Sequence, residues 1–206
     1  MKQTIIIVLL LVTLLPLPIS CNKRTYSNYL FEVETIELNH GRVTMENGYY
    51  WLDPVGINDS IHATSFGISF QAETWSTSEV QSIASSYFNP LLPLASADPI
   101  PPTSDSKIAL ISIYPSDSLH TVESGSFGPD ETLLNLFSIS SQYTGFSDKK
   151  NILQFIETEP LWYLDDVFLL HLKNELMEPY EGSFEVKITM ENGEKLSSES
   201  EVVNIY

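Results

Sequence analysis

The sequence predicts a mainly β chain, an antiparallel β-sandwich with roughly two or three short helices in its connections. Three observations carry this. Several segments alternate apolar and polar residues with period two. Two of them turn at Asn-Gly, the strongest short hairpin signal. Segments with helical spacing are short and bounded by proline.

The elements follow in order. Tyr29 to Leu38, YLFEVETIEL, sets Phe31 and Val33 against Glu32 and Glu34, then Ile36 and Leu38 against Glu37, as a half-buried strand does. Gly41 to Leu52 reads as two strands about Asn47-Gly48. Ile61 to Thr74 alternates Phe66, Ile68, Phe70 and Ala72 with Gly67, Ser69 and Gln71. Ser76 and Glu79 fit a capping box, and Val80, Ile83, Ala84, Tyr87 and Phe88 then fall at helical spacing up to Asn89-Pro90. Residues 90–102 hold five prolines and read as a loop. Lys107 to Tyr114 returns to strand.

Residues 115–147 are mixed. Leu119 to Val122 fits a short strand, and Pro129-Asp130-Glu131 fits a helix start with Leu133, Leu134 and Phe137 as its apolar face. Ser147 is placed to cap a second short helix with Ile152, Phe155 and Ile156 inward. Val167 to Leu172 reads as a buried strand. The closing segment, FEVKITMENGEKLSSESEVVNIY, is the clearest hairpin, turning at Asn192-Gly193. TMENG occurs at Thr44–Gly48 and again at Thr189–Gly193, but the flanks share nothing, so reuse of one turn chemistry explains it better than duplication.

Composition bounds function. At 206 residues and 43% hydrophobic the chain suffices for one packed domain. Its formal charge of -17 repels phosphate backbones, which excludes nucleic acid as a partner. Lys2 followed by the apolar run Thr4 to Leu15, broken by Pro16 and Pro18, reads as an export signal over residues 1–20. The run is shorter than the roughly 20 residues a membrane span needs. Residues 21–28 form a polar tether, and 29–206 the sandwich.

Cys21, the single cysteine, stands directly after Ser20. This resembles the lipobox of bacterial lipoproteins, although Pro18 occupies the place where that pattern prefers Leu and Leu17 stands one residue earlier. The resemblance implies lipidation of the Cys21 sulfur and a membrane anchor, each buried methylene adding about 0.8 kcal/mol. Asn22 in place of Asp implies the outer membrane, and Lys23-Arg24 in place of acidic residues favours the periplasmic face. The buried strand and long final hairpin are similar to those of immunoglobulin-like domains. With the lipobox, the layout resembles small lipoproteins of unknown function from Bacteroides-type bacteria, a family that supplies no catalytic residues. Asp59-Ser60-Ile61 and Asp117-Ser118-Leu119 resemble the short O-glycosylation site of exported proteins in such bacteria, implying modification at Ser60 and Ser118.

No motif specifies catalysis. SGSFG at Ser124–Gly128 has the wrong spacing for a nucleophile elbow. His40, His62, His120 and His171 are scattered, and Asp53, Asn58 and Asp59 lack calcium-loop spacing, so neither metal nor cofactor is expected. Trp51, Trp75 and Trp162 either fill the core or stack on sugars. The expected function is a non-enzymatic envelope lipoprotein presenting its sandwich to a protein or glycan. The alternatives are a carbohydrate-binding component of a glycan-uptake system and a hydrolase with an unrecognised site.

Overall fold

The period-two spacing of YLFEVETIEL becomes the first part of an unusually long strand, β1 (Tyr29–Glu46). The computed structural model describes residues 29–56, 59–79, 103–142, 149–159, 161–163 and 165–206. The export signal, Cys21, the tether over 21–28, the helical body Val80–Phe88, the proline-rich 90–102 and the Ser147 cap lie outside the described residues.

In chain order β1 is followed by β2 (Tyr49–Pro54), β3 (Ser60–Ile61), β4 (Phe66–Glu79), β5 (Thr103–Ser104) and β6 (Ile108–Pro115). Next come β7 (Leu119–Thr121), β8 (Gly125–Phe127), β9 (Phe137–Ser141), β10 (Lys150–Asn151) and the helix α1 (Ile152–Thr158). The chain ends with β11 (Val167–Leu172), β12 (Tyr180–Gly182), β13 (Phe184–Met190), β14 (Lys195–Glu199) and β15 (Val203–Ile205). Short 3-10 turns cover Ala63–Ser65 and Leu134–Leu136.

Two sheets make the sandwich. The larger runs β10-β9-β11-β4-β1-β2, with β5 beside β1; the smaller runs β14-β13-β6. Within them β1-β4-β11-β9 and β6-β13-β14 are antiparallel and reproduce the A-B-E-D and C-F-G sheets of the constant-type immunoglobulin fold. The fold is thus mainly β and immunoglobulin-like. Tyr180, in the connection between β11 and β13, ties the start of β13 to the end of β6. Its hydroxyl donates to the Ser183 carbonyl at 2.8 Å and accepts from the Ser116 N–H at 3.1 Å. Gly182 lets this ring approach, because a Cβ there would collide with the Tyr180 hydroxyl and Ser116 Oγ.

The core lies where the sheets face each other. Phe66 of β4 meets Phe184 of β13 at 5.2 Å between ring centroids. Phe70 stacks on Phe168 at 4.9 Å, and Phe155 of α1 closes on Phe168 edge-on at 5.6 Å. Such pairs add about 0.5–1.5 kcal/mol beyond the area they bury.

The β1–β4 ladder carries two irregularities, between Val33 and Thr35 and between Thr35 and Ile36. Across them the buried positions of β1 switch from Phe31 and Val33 to Ile36. The change of parity visible in the sequence is therefore a β-bulge. On β4 the same step separates Ala72 from Trp75, which pairs with Val33.

The structure corrects three local expectations. Ser76–Glu79 belong to β4, paired with Tyr29–Glu32, because a continuous ladder outweighs a cap of about 1 kcal/mol. Pro129-Asp130-Glu131 start no helix: the Glu131 N–H bonds the Gly128 carbonyl at 3.0 Å, and Glu131 Oε2 accepts from the Gly128 N–H at 2.8 Å. Phe137, expected on a helix face, opens β9, whose five residues are all buried. The two TMENG turns also differ. Asn47 and Gly48 both have positive φ, 54° and 86°, as a two-residue type I′ turn requires, whereas around Asn192 only Gly193 does, at 89°. There the Gly193 N–H bonds the Met190 carbonyl at 2.9 Å and the Met190 N–H bonds the Glu194 carbonyl at 2.9 Å, a longer turn with a bulged glycine. α1 buries Ile152 and Phe155 as expected, but it starts only at Ile152 and its cap is Asn151, not Ser147: Asn151 accepts from the Leu153 N–H at 2.9 Å. Among the described residues no helix is long and apolar enough to cross a membrane.

Candidate functional site

The β1–β2 hairpin runs past the main sheet. β4 pairs with β1 only as far as Arg42, so residues 43–46 pair with β2 alone. Alternation gives the projecting arm two faces. Tyr49 and Trp51 share one face and are 47% and 53% exposed. Asp53 continues that face and accepts from Thr44 Oγ1 at 3.1 Å, which holds the arm in register. Tyr50, on the other face, lies 6.3 Å from the His171 ring, and Lys149 Nζ sits 3.9 Å above the centre of Tyr50.

The three sequence-selected tryptophans do not converge. Trp75 is 43% exposed and touches Phe31 edge-on at 6.3 Å. It pairs with Val33 while Trp51 pairs with Thr44, so about 35 Å of strand separates them. Trp162 is fully buried, which corrects its proposed stacking role. It packs edge-on against Phe70 and Phe168, and its Nε1–H donates to the Asp166 carbonyl at 3.3 Å. It offers a sugar no face.

Ser60 and Ser118 are both exposed. Ser60 lies in β3 beside β15, and Ser118 in a bend where its N–H meets Asp117 Oδ1 at 2.6 Å. Asp59 closes a turn, accepting from the Gly56 N–H at 3.1 Å. The four histidines stay apart, and among the described residues no group of three metal-ligating side chains forms.

Two constellations escaped the sequence. The first is a Ser-His-Glu line on the β7–β8 hairpin. His120 Nδ1 meets Ser126 Oγ across the strand pair, and His120 Nε2 lies 3.2 Å from Glu178 Oε1. The order matches nucleophile, base and orienter. Yet Ser126 is exposed and Glu178 is 63% exposed, so the line lacks the dry enclosure that acyl transfer needs. It works as a latch, together with the Met177 N–H bond to the His120 carbonyl at 2.9 Å.

The second is a basic pocket of about 400 Å³ beside β9, β10 and β11. His171 Nε2–H donates to the Thr64 carbonyl at 2.8 Å, which leaves Nδ1 unprotonated to accept from the Lys149 ammonium. Burial lowers the Lys149 pKa to about 8. Burial, then the Lys149 charge, lowers that of His171. Lys150 pairs with Glu159, and Lys173 is exposed at the rim. The hint in the sequence was that Lys149-Lys150 is the only adjacent basic pair after Arg24. No protein-family model matches this sequence, and no curated protein does.

Proposed function

We propose that the chain is a lipid-anchored binding protein of the bacterial envelope without catalytic activity. Cys21 carries the anchor, residues 21–28 the tether, and the sandwich holds the β1–β2 hairpin toward a protein or glycan partner on the periplasmic side of the outer membrane. The observation that supports this reading best is the exposed Tyr49–Trp51 pair on a hairpin that projects beyond its sheet. Flat aromatic faces in water are costly unless covered, and successive residues on one strand face stand about 7 Å apart. That spacing suits stacking on a sugar chain or capture of an extended segment. The acidic surface keeps the domain clear of anionic headgroups.

The test has two arms. Cells fed tritiated palmitate should label the wild-type protein and not Cys21→Ser; label retained by the variant overturns the anchor. Affinity electrophoresis through gels containing soluble polysaccharides should retard the wild type and release Tyr49→Ala/Trp51→Ala. Retardation equal in both proteins removes the hairpin from the contact.

A further inference from the structure

The described part of this acidic chain has seven basic residues: Arg42, Lys107, Lys149, Lys150, Lys173, Lys187 and Lys195. Three of them line one pocket, and among the described residues no carboxylate lines it. Glu159 neutralises Lys150 from nearby, while Lys149 has no carboxylate within 4.0 Å among the described residues. In a molecule of charge -17, lysines are expected to spread among acidic neighbours. Gathering them costs mutual repulsion, and local departures of this kind concentrate at functional sites.

The pocket is also rich in donors. The Asn151 carbonyl oxygen is taken by the Leu153 N–H, which leaves its amide N–H groups to donate. Both His171 nitrogens are taken, one by Thr64 and one by Lys149, so the imidazole holds the Lys149 ammonium and competes for no ligand. Tyr50 stacks under that ammonium from the hairpin. Anions are recognised by such sets of converging donors with little acceptor capacity. The volume of about 400 Å³ falls within the 300–1,000 Å³ range of small-molecule sites.

We propose that this pocket binds a small ligand through an oxyanion group, phosphate, sulfate or carboxylate, met by the ammonium groups of Lys149 and Lys173. The site is separate from the Tyr49–Trp51 face, since Tyr50 points to the opposite side of β2 from its neighbours. It stands or falls independently of the lipid anchor and of the glycan reading.

The test is a titration of the full chain with inorganic phosphate, sulfate and acetate at low ionic strength, read by backbone amide shifts. Saturable shifts at Thr64, Ser138 and Lys173 are expected with at least one of the three, and the responding anion identifies the group. Lys149→Gln and Lys173→Gln should each weaken binding at least tenfold, and Lys195→Gln, on the other sheet, should leave it unchanged. Lys173 is exposed, so its variant keeps the test valid even if Lys149→Gln folds poorly. No saturable shift with any anion up to 50-fold over millimolar, roughly the weakest affinity such a site should have, overturns the proposal. Equal weakening by Lys195→Gln also overturns it, since it would mark general charge screening.

Discussion

Replacing Tyr180 by Phe tests the hydroxyl that ties the start of β13 to the end of β6. The ring stays, so its packing on Phe184 at 5.1 Å is retained and only the hydroxyl is lost. That hydroxyl donates to the Ser183 carbonyl and accepts from the Ser116 N–H. Those two backbone groups also bond each other at 2.9 Å, so neither is orphaned by the change. The penalty of about 1–3 kcal/mol for an unsatisfied buried group therefore does not apply in full. One donated bond of about 1 kcal/mol and one weaker accepted bond together give a loss of about 1.5 kcal/mol. For a domain of this size that lowers Tm by roughly 3–6 °C. Urea unfolding followed by tryptophan fluorescence measures it. A loss below about 0.5 kcal/mol, at unchanged m value, would refute the hydroxyl as a stabilising lock.

Further outcomes follow from other sites. Trp162→Ala should cost about 3–5 kcal/mol in the same assay, whereas Trp51→Ala should stay within about 0.5 kcal/mol. Gly48→Ala should cost about 1 kcal/mol, because its φ of 86° is left-handed, while the added methyl meets no neighbour within 4 Å. Lys149→Met should raise stability at pH 7 by roughly 1 kcal/mol, the burial effect being discounted for screening at a half-exposed group. The folded state disfavours the charged lysine, so this liability is present below pH 8 and disappears as pH rises from about 8 to 10.5, as paired urea curves across that range would show. The groups facing Lys149 there are the His171 imidazole and the Tyr50 ring.

Much of the sandwich was legible because its signals are local. FEVKITM alternates, and β13 buries Phe184, Val186, Ile188 and Met190 on one face. VFLLHL matches β11 residue for residue. What failed were signals of about 1 kcal/mol set against long-range pairing. The Ser76–Glu79 box lost to a ladder with residues more than forty positions earlier. The sites were less legible still. Lys149 lies 22 residues from His171, and His171 lies 107 from Thr64, so only the closed fold brings them together. Trp162 gave no sign of its depth, because an aromatic beside Tyr163 reads alike at a rim or in a core.

The paired irregularities of β1 and β4 have a consequence for variation in this chain. Glu34 and Glu73 each fall outside the pairing, one per strand, and beyond them the two strands are again in step. The step works as a matched phase shift. Substitutions at either glutamate leave it intact. Deleting Glu34 alone would give β1 plain alternation, with Phe31, Val33 and Ile36 still on one face, and would leave a single bulge at Glu73 of β4. Deleting both would leave an unbroken ladder with the same partners, so this stretch tolerates shortening that keeps its oil inward.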